Sequence, residues 1–226
     1  MFNFFNKSSH EIVALNIDSQ NLTCSWFKKH KNNNLINLVG YKRYAFENLE
    51  VCDLNVYNQL KLNYLLQSFF NEYNLKNPYV YLSLSGHQIL EKIVILDHIP
   101  QSSDEFNLEK NENISWSCYQ IEDKEKFFFY IAGMQHALVF QYKIFAFNTQ
   151  LNLSKLTTET ASLMSLSNYI SKLKLVNEDV YSCKQNITNI IKSCNINDYL
   201  YTKLDINLEQ EKFFILKNLG LFLLSK

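Results

Sequence analysis

The chain reads as a mixed α/β protein with two sheets, on three observations. The stretch "HEIVALNIDSQNLTCSWF" (10–27) has the pattern of a buried strand, a tight polar turn and a second strand that alternates apolar with polar residues. The run after Asp53 places Val56, Leu60, Leu62, Leu65, Leu66, Phe69, Phe70 and Tyr73 over a broad face of one long helix. Beyond Pro78, strand-like and helix-like segments alternate, so a second set of strands follows the first block.

In order along the chain, the opening hairpin leads through the polar tip "KKHKNNN" to a strand-like run from Leu35 to Phe46. Asp53 is the expected N-cap of the long helix, since a short side-chain carboxylate can accept from its first free N–H groups. Pro78 disfavours helix at Asn77 and closes that segment. "YVYLSLSG" and "ILEKIVIL" then read as strands joined at Gly86, and "QSSDEFNLEKNENIS" as a short solvated helix capped by Ser102 or Ser103. "SWSCYQI" and "KFFFYIAG" read as two more strands. The helix "MQHALVFQYKIFAFN" follows, with Leu138, Val139, Tyr142, Phe145 and Ala146 on its apolar side. A helix capped by Thr157 or Thr158 repeats Leu163, Leu166, Tyr169, Ile170 and Leu173. A further helix and the apolar segment "EKFFILKNLGLFLLSK" end the chain, and Gly220 marks a close approach to a neighbouring backbone.

Composition narrows the function classes. The 226 residues can bury a substantial core, and 22 basic against 22 acidic side chains leave no net field to steer nucleic acid or an anionic membrane. Five scattered cysteines without a CxxC pair suggest buried reduced thiols rather than disulfides or zinc. His87 and His98 flank a strand, where they cannot make a helical i, i+4 ligand pair. The start lacks the basic and sustained apolar regions of a signal peptide. The final apolar run is interrupted by Lys217 and Asn218 and is shorter than the roughly 20 residues of a membrane span. A cytoplasmic protein is expected. No GxSxG, Walker loop or HExxH is present, and Glu11, Glu91, Asp97 and Glu122 each sit where an exposed carboxylate is ordinary.

Taken together, "SSHEIVALNIDSQNLTCSW", "VYLSLSGHQILEKIVIL", "WSCYQIEDKEKFFFYIAGMQHALVFQYKIFAFN" and the closing "FFILKNLGLFLL" resemble the PilM family of type IV pilus assembly proteins and its relatives in competence and DNA uptake. The resemblance implies an actin-like (ribonuclease H-like) α/β fold with a small inserted α/β subdomain. Its divisions would be 1–79 for the first actin-like part, 80–156 for the insertion and 157–226 for a helical part completing the first subdomain. Between Leu173 and Lys226 no second Asp-x-Gly phosphate turn and no glycine pair occur, so the second actin-like half is expected to be missing or shortened.

The turn after Ile17 bears on catalysis. A phosphate loop needs bare backbone at its tip, and this one keeps Asp18 but carries Ser19, Gln20 and Asn21 where the family has glycine. Asp18 is therefore expected to bond its own turn, as Asx-turns do, a vestige of a cofactor-binding position. No cofactor and no enzymatic activity are expected. The resemblance implies a cytoplasmic assembly protein held at the inner membrane through the cytoplasmic N-terminal peptide of a PilN-like partner, with no direct nucleic acid contact. A working actin-like ATPase and a structural subunit of an unrelated complex are the alternatives. The N-terminal Phe2, Phe4 and Phe5 are expected to be mobile.

Overall fold

The computed structural model describes residues 2–3, 11–29, 35–46, 54–86, 88–106, 108, 111–121, 127–171 and 179–224. The opening hairpin forms as β2 (Glu11–Ile17) and β3 (Asn21–Lys29), antiparallel and in full register, and β4 (Ile36–Ala45) continues the meander. Helix α1 (Val56–Glu72) crosses over to β5 (Tyr79–Leu84), which lies parallel to β2. After an excursion, α2 (His136–Asn148) leads to β9 (Asn152–Thr158), parallel to β5. These five strands stand in the order β9-β5-β2-β3-β4, the first meander strand at the centre and the two crossover strands beside it. Ile12 to Ile17 are all buried, as a central strand covered on both faces requires.

The excursion is a separate antiparallel sheet, β6-β8-β7, made by β6 (Ile89–Leu96), β7 (Ile114–Ile121) and β8 (Phe127–Gln135). Its strands lie within 89–135, a narrower stretch than the expected 80–156, because Tyr79–Leu84 and Asn152–Thr158 pair in the large sheet and α2 packs on that sheet. The surface segment before β7 is a short 3-10 turn, Ser103–Phe106.

One face of the large sheet is covered by α1 and α2 through Leu62, Leu66, Phe69, Leu138, Tyr142 and Phe145. The other carries α3 (Glu159–Ser171), α4 (Val180–Ser193) and α5 (Leu208–Leu223). The closing segment adds a short strand, β10 (Leu200–Thr202), parallel to β4. Gly220 of α5 sits against α3 so closely that a Cβ there would lie 2.0 Å from the Ser162 carbonyl oxygen. Thr158 caps α3, its Oγ1 accepting from the Ala161 N–H at 3.2 Å.

Four expectations are corrected. Asn55, not Asp53, caps α1, its side chain accepting from the Asn58 N–H, and Asp53 itself lies outside the described residues. Val56 and Leu60 do not face the sheet; they are exposed, because the buried stripe runs through Asn58, Leu62, Leu66, Phe69 and Phe70. Phe2–Asn3 forms β1, antiparallel to β9 at the sheet edge, so that part of the N-terminus is paired, while Phe4 and Phe5 lie outside the described residues. Of the cysteines, Cys24 and Cys183 are buried, but Cys118 is exposed on β7.

Candidate functional site

In open α/β sheets, ligands bind beyond the carboxyl ends of the parallel strands. Here β2 ends at Asp18 and β9 runs into Glu159, so both carboxylates stand at that edge. Asp18 Oδ1 accepts from the N–H groups of Gln20 at 2.8 Å and Asn21 at 2.7 Å, the Asx-turn the sequence predicts. Its other oxygen lies 3.5 Å from Lys217 Nζ, and Glu159 Oε1 lies 3.5 Å from the same nitrogen. Lys217 projects from α5 with a side chain only 2% exposed.

A single buried ammonium thus balances two carboxylates at the strand ends. An ammonium so far out of water survives only with such counter-charges, because desolvation of an unpaired ion costs several kcal/mol. Polar side chains continue this layer beneath α5. Asn218 Nδ2 donates to the Thr23 carbonyl at 3.3 Å and to Ser25 Oγ at 2.9 Å, and Asn16 Nδ2 donates to Ser83 Oγ at 2.7 Å. Ser162 Oγ donates to the Lys217 carbonyl and holds α5 to α3.

The small sheet is fastened to the large one by a second polar cluster. Tyr130 of β8 donates to Glu91 Oε1 of β6 at 2.6 Å and meets Thr158 Oγ1, at the root of α3, at 2.6 Å. Thr160 also donates to Glu91, and Lys184 of α4 donates to Glu91 Oε2 at 2.7 Å. Burial, reinforced by the neighbouring Glu91 carboxylate, pushes the Tyr130 phenol well above its usual range, so it remains a donor. Tyr119, which shares a short hydrogen bond with Thr157, is pushed up to about 12 by burial.

Between the small sheet and α2 lies an open groove of about 510 Å³, lined by Ser115, His136, Ala137, Val139, Phe140 and Lys143. Strand β7 borders it and is an edge strand, paired among the described residues with β8 alone. The His136 N–H donates to the Asn113 carbonyl at 2.7 Å, fixing the start of α2 against the start of β7. An edge strand beside an exposed Phe140 offers backbone pairing and an apolar contact together, which is what an extended peptide needs.

Of the carboxylates considered as acid and base, Glu11 pairs with Lys28 at 2.9 Å and Glu91 with Lys184; Glu122 lies outside the described residues. His98 lies 2.6 Å from Glu105. Sequence reasoning missed Glu159 and Lys217 as partners of Asp18, and the groove residues Ser115, His136 and Phe140. A lysine followed by asparagine inside an otherwise apolar helix was the available signal for the first set; the second set had none.

No protein-family model matches the chain, and no curated protein matches it in sequence. Solved structures do resemble it. A chain of the PilM-PilN type IV pilus biogenesis complex superposes with a TM-score of 0.54 at 12% identity, over 74% of this chain and 52% of that one. The fold is actin-like. The chain therefore spans about half the length of that pilus protein. Weaker likenesses are the cytoplasmic domain of EpsL, an inner membrane component of the Vibrio cholerae type II secretion system, and a protein of unknown function with an actin-like ATPase fold from Bacteroides thetaiotaomicron. The EpsL domain has a TM-score of 0.42 at 8% identity over 67% of this chain and 57% of that one. The Bacteroides protein has a TM-score of 0.40 at 12% identity over 99% and 92%.

Proposed function

We propose that this protein is a non-catalytic assembly protein of a type IV pilus or related machine, which docks the cytoplasmic tail of an inner-membrane partner. It would work in the cytoplasm, peripheral to the inner membrane through that partner. The observation that carries the proposal is the contrast at its two recesses. The strand ends, where an actin-like protein would hold a nucleotide, are occupied by Lys217 between Asp18 and Glu159. The groove between β7 and α2 is open and presents an edge strand beside Phe140. The shared fold with a chain of a PilM-PilN complex supports an extended, PilN-like N-terminal peptide as the occupant.

Such a tail would add main-chain hydrogen bonds to β7 and place an apolar side chain over Ala137 and Phe140, reaching affinities on the order of −8 kcal/mol. The test is a fluorescence titration with peptides copying the cytoplasmic tails of membrane proteins encoded beside this one, on the wild-type chain and on Phe140→Asp. Micromolar binding that weakens at least tenfold in the variant is expected. Binding that ignores Phe140→Asp, or no binding by any such tail, would overturn the docking role.

A further inference from the structure

Most of the large apolar side chains exposed among the described residues lie on α1 and α2, the two helices covering one face of the large sheet. On α1, Val56, Tyr57, Leu60 and Tyr64 recur at helical spacing and are 65–74% exposed; on α2, Ile144 and Phe147 are 39% and 83% exposed. None of the six lines the groove at β7. Summed over the six side chains, their outward surface amounts to on the order of 800 Å², comparable with one side of a standard protein interface.

We infer that this face is a self-association surface, on which a second copy of the chain packs its own α1 and α2. The charge pattern selects that occupant. Around the apolar stripe α1 shows neutral amides and hydroxyls, Asn63, Gln67, Ser68 and Asn71. The one carboxylate on the two helices, Glu72, already pairs with Lys42 at 3.0 Å. A helix that lies on an anionic membrane carries a Lys- and Arg-rich polar face, whereas α1 and α2 hold only Lys61 and Lys143. Lys61 is drawn over the Phe46 ring, 5.2 Å from its centroid. A nearly uncharged face meets its own copy without like-charge repulsion, as a two-fold interface requires. The pairing would join two protomers by a layer of helices.

The test is sedimentation velocity on the full chain from about 1 to 100 µM, since mass action drives self-association with concentration. The weight-average mass should climb from 26.7 kDa toward twice that value. Leu60→Asp and Phe147→Asp should each weaken the association at least tenfold while leaving the circular dichroism spectrum unchanged. Should either variant fail to fold, hydrogen exchange on the wild type provides a second measure: protection of 56–64 and 144–147 should rise with concentration. A wild type that stays monomeric, or a dimer that both variants leave intact, overturns the inference. So does a monomer that floats with phosphatidylglycerol vesicles and loses that property in the variants, which would assign the face to a membrane. Tail-peptide titration of Leu60→Asp keeps this result separate from the docking role, because Leu60 is outside the groove.

Discussion

The edge of the large sheet at Asp18 and the groove at β7 are both recesses beside strands, and they are built in opposite ways. At Asp18 a buried lysine stands 3.5 Å from each of two carboxylates, and the turn's free N–H groups are spent on Asp18 itself. At β7 the space of about 510 Å³ is open and Phe140 stands in solvent. The first arrangement is filled from within: two carboxylates flank the lysine and Asp18 takes the Gln20 and Asn21 N–H groups, so an incoming phosphate would have to displace contacts already made. The second leaves apolar surface and strand edge unsatisfied, a state that costs solubility unless something covers it. Closure at one recess and incompleteness at the other is the observation on which the proposed docking role rests.

Substitutions can break that contrast, beginning with the largest effect. Gly220→Ala would force a methyl to 2.0 Å from the Ser162 carbonyl oxygen and lever α5, with Lys217, off α3. A loss of about 3 kcal/mol or more in urea unfolding is expected. Lys217→Met leaves α5 in place but strands Asp18 and Glu159 without their counter-charge, at a cost of about 3 kcal/mol. Adding Asp18→Asn and Glu159→Gln should recover most of that loss, and a triple variant no more stable than Lys217→Met would show that the charges do not close this edge. Tyr130→Phe removes the hydroxyl joining Glu91 to Thr158 and should cost about 1–2 kcal/mol in the same assay.

A pH experiment reaches the far edge of the same sheet. Burial lowers the Lys155 ammonium from 10.5 to about 8, where it lies over the Tyr81 ring and donates to the Leu224 carbonyl. Between those values the unfolded chain holds a proton the folded chain has released, so this group's contribution to stability rises with pH through that window. Other groups oppose that contribution: burial raises the Cys24, Cys118 and Cys194 thiols above their ordinary 9.0 and Tyr44 and Tyr119 up to about 12 from 10.0, so the unfolded chain loses those protons first. The Lys155 effect is therefore read as a difference: the melting temperature of the wild type should gain on that of Lys155→Met as the pH is raised from about 8 to 10.5. The smallest stability effect belongs to the open groove: Phe140→Asp, on an exposed side chain, should stay within about 0.5 kcal/mol of wild type while weakening peptide binding at least tenfold.

Short-range chemistry made part of this legible from sequence. The Asx-turn at Asp18 depends on residues two and three positions away, and Gly220 betrays its close contact because a glycine inside an apolar helix needs a packing reason. The strand and helix pattern carried the mixed α/β class with two sheets, and the actin-like fold came from the resemblance alone. What failed was long-range. Nothing local to Lys217 says that Asp18, nearly the whole chain away, will be its partner. Val56 and Leu60 share a helix with a buried stripe, and periodicity alone cannot tell which of two apolar stripes meets the sheet. The limits of the small sheet were misplaced because Tyr79–Leu84 and Asn152–Thr158 look like any buried strand until their pairing is known. The groove at β7 exists only once α2 is placed beside the small sheet.

The central contrast, a closed strand edge against an open groove, is tested most directly by calorimetric titration of MgATP into the wild-type chain. With Lys217 seated between Asp18 and Glu159, no saturable heat is expected up to about 1 mM nucleotide, a bound weaker than −4.1 kcal/mol. Micromolar binding of MgATP that disappears in Asp18→Ala would contradict it and return the protein to the nucleotide-binding members of its fold.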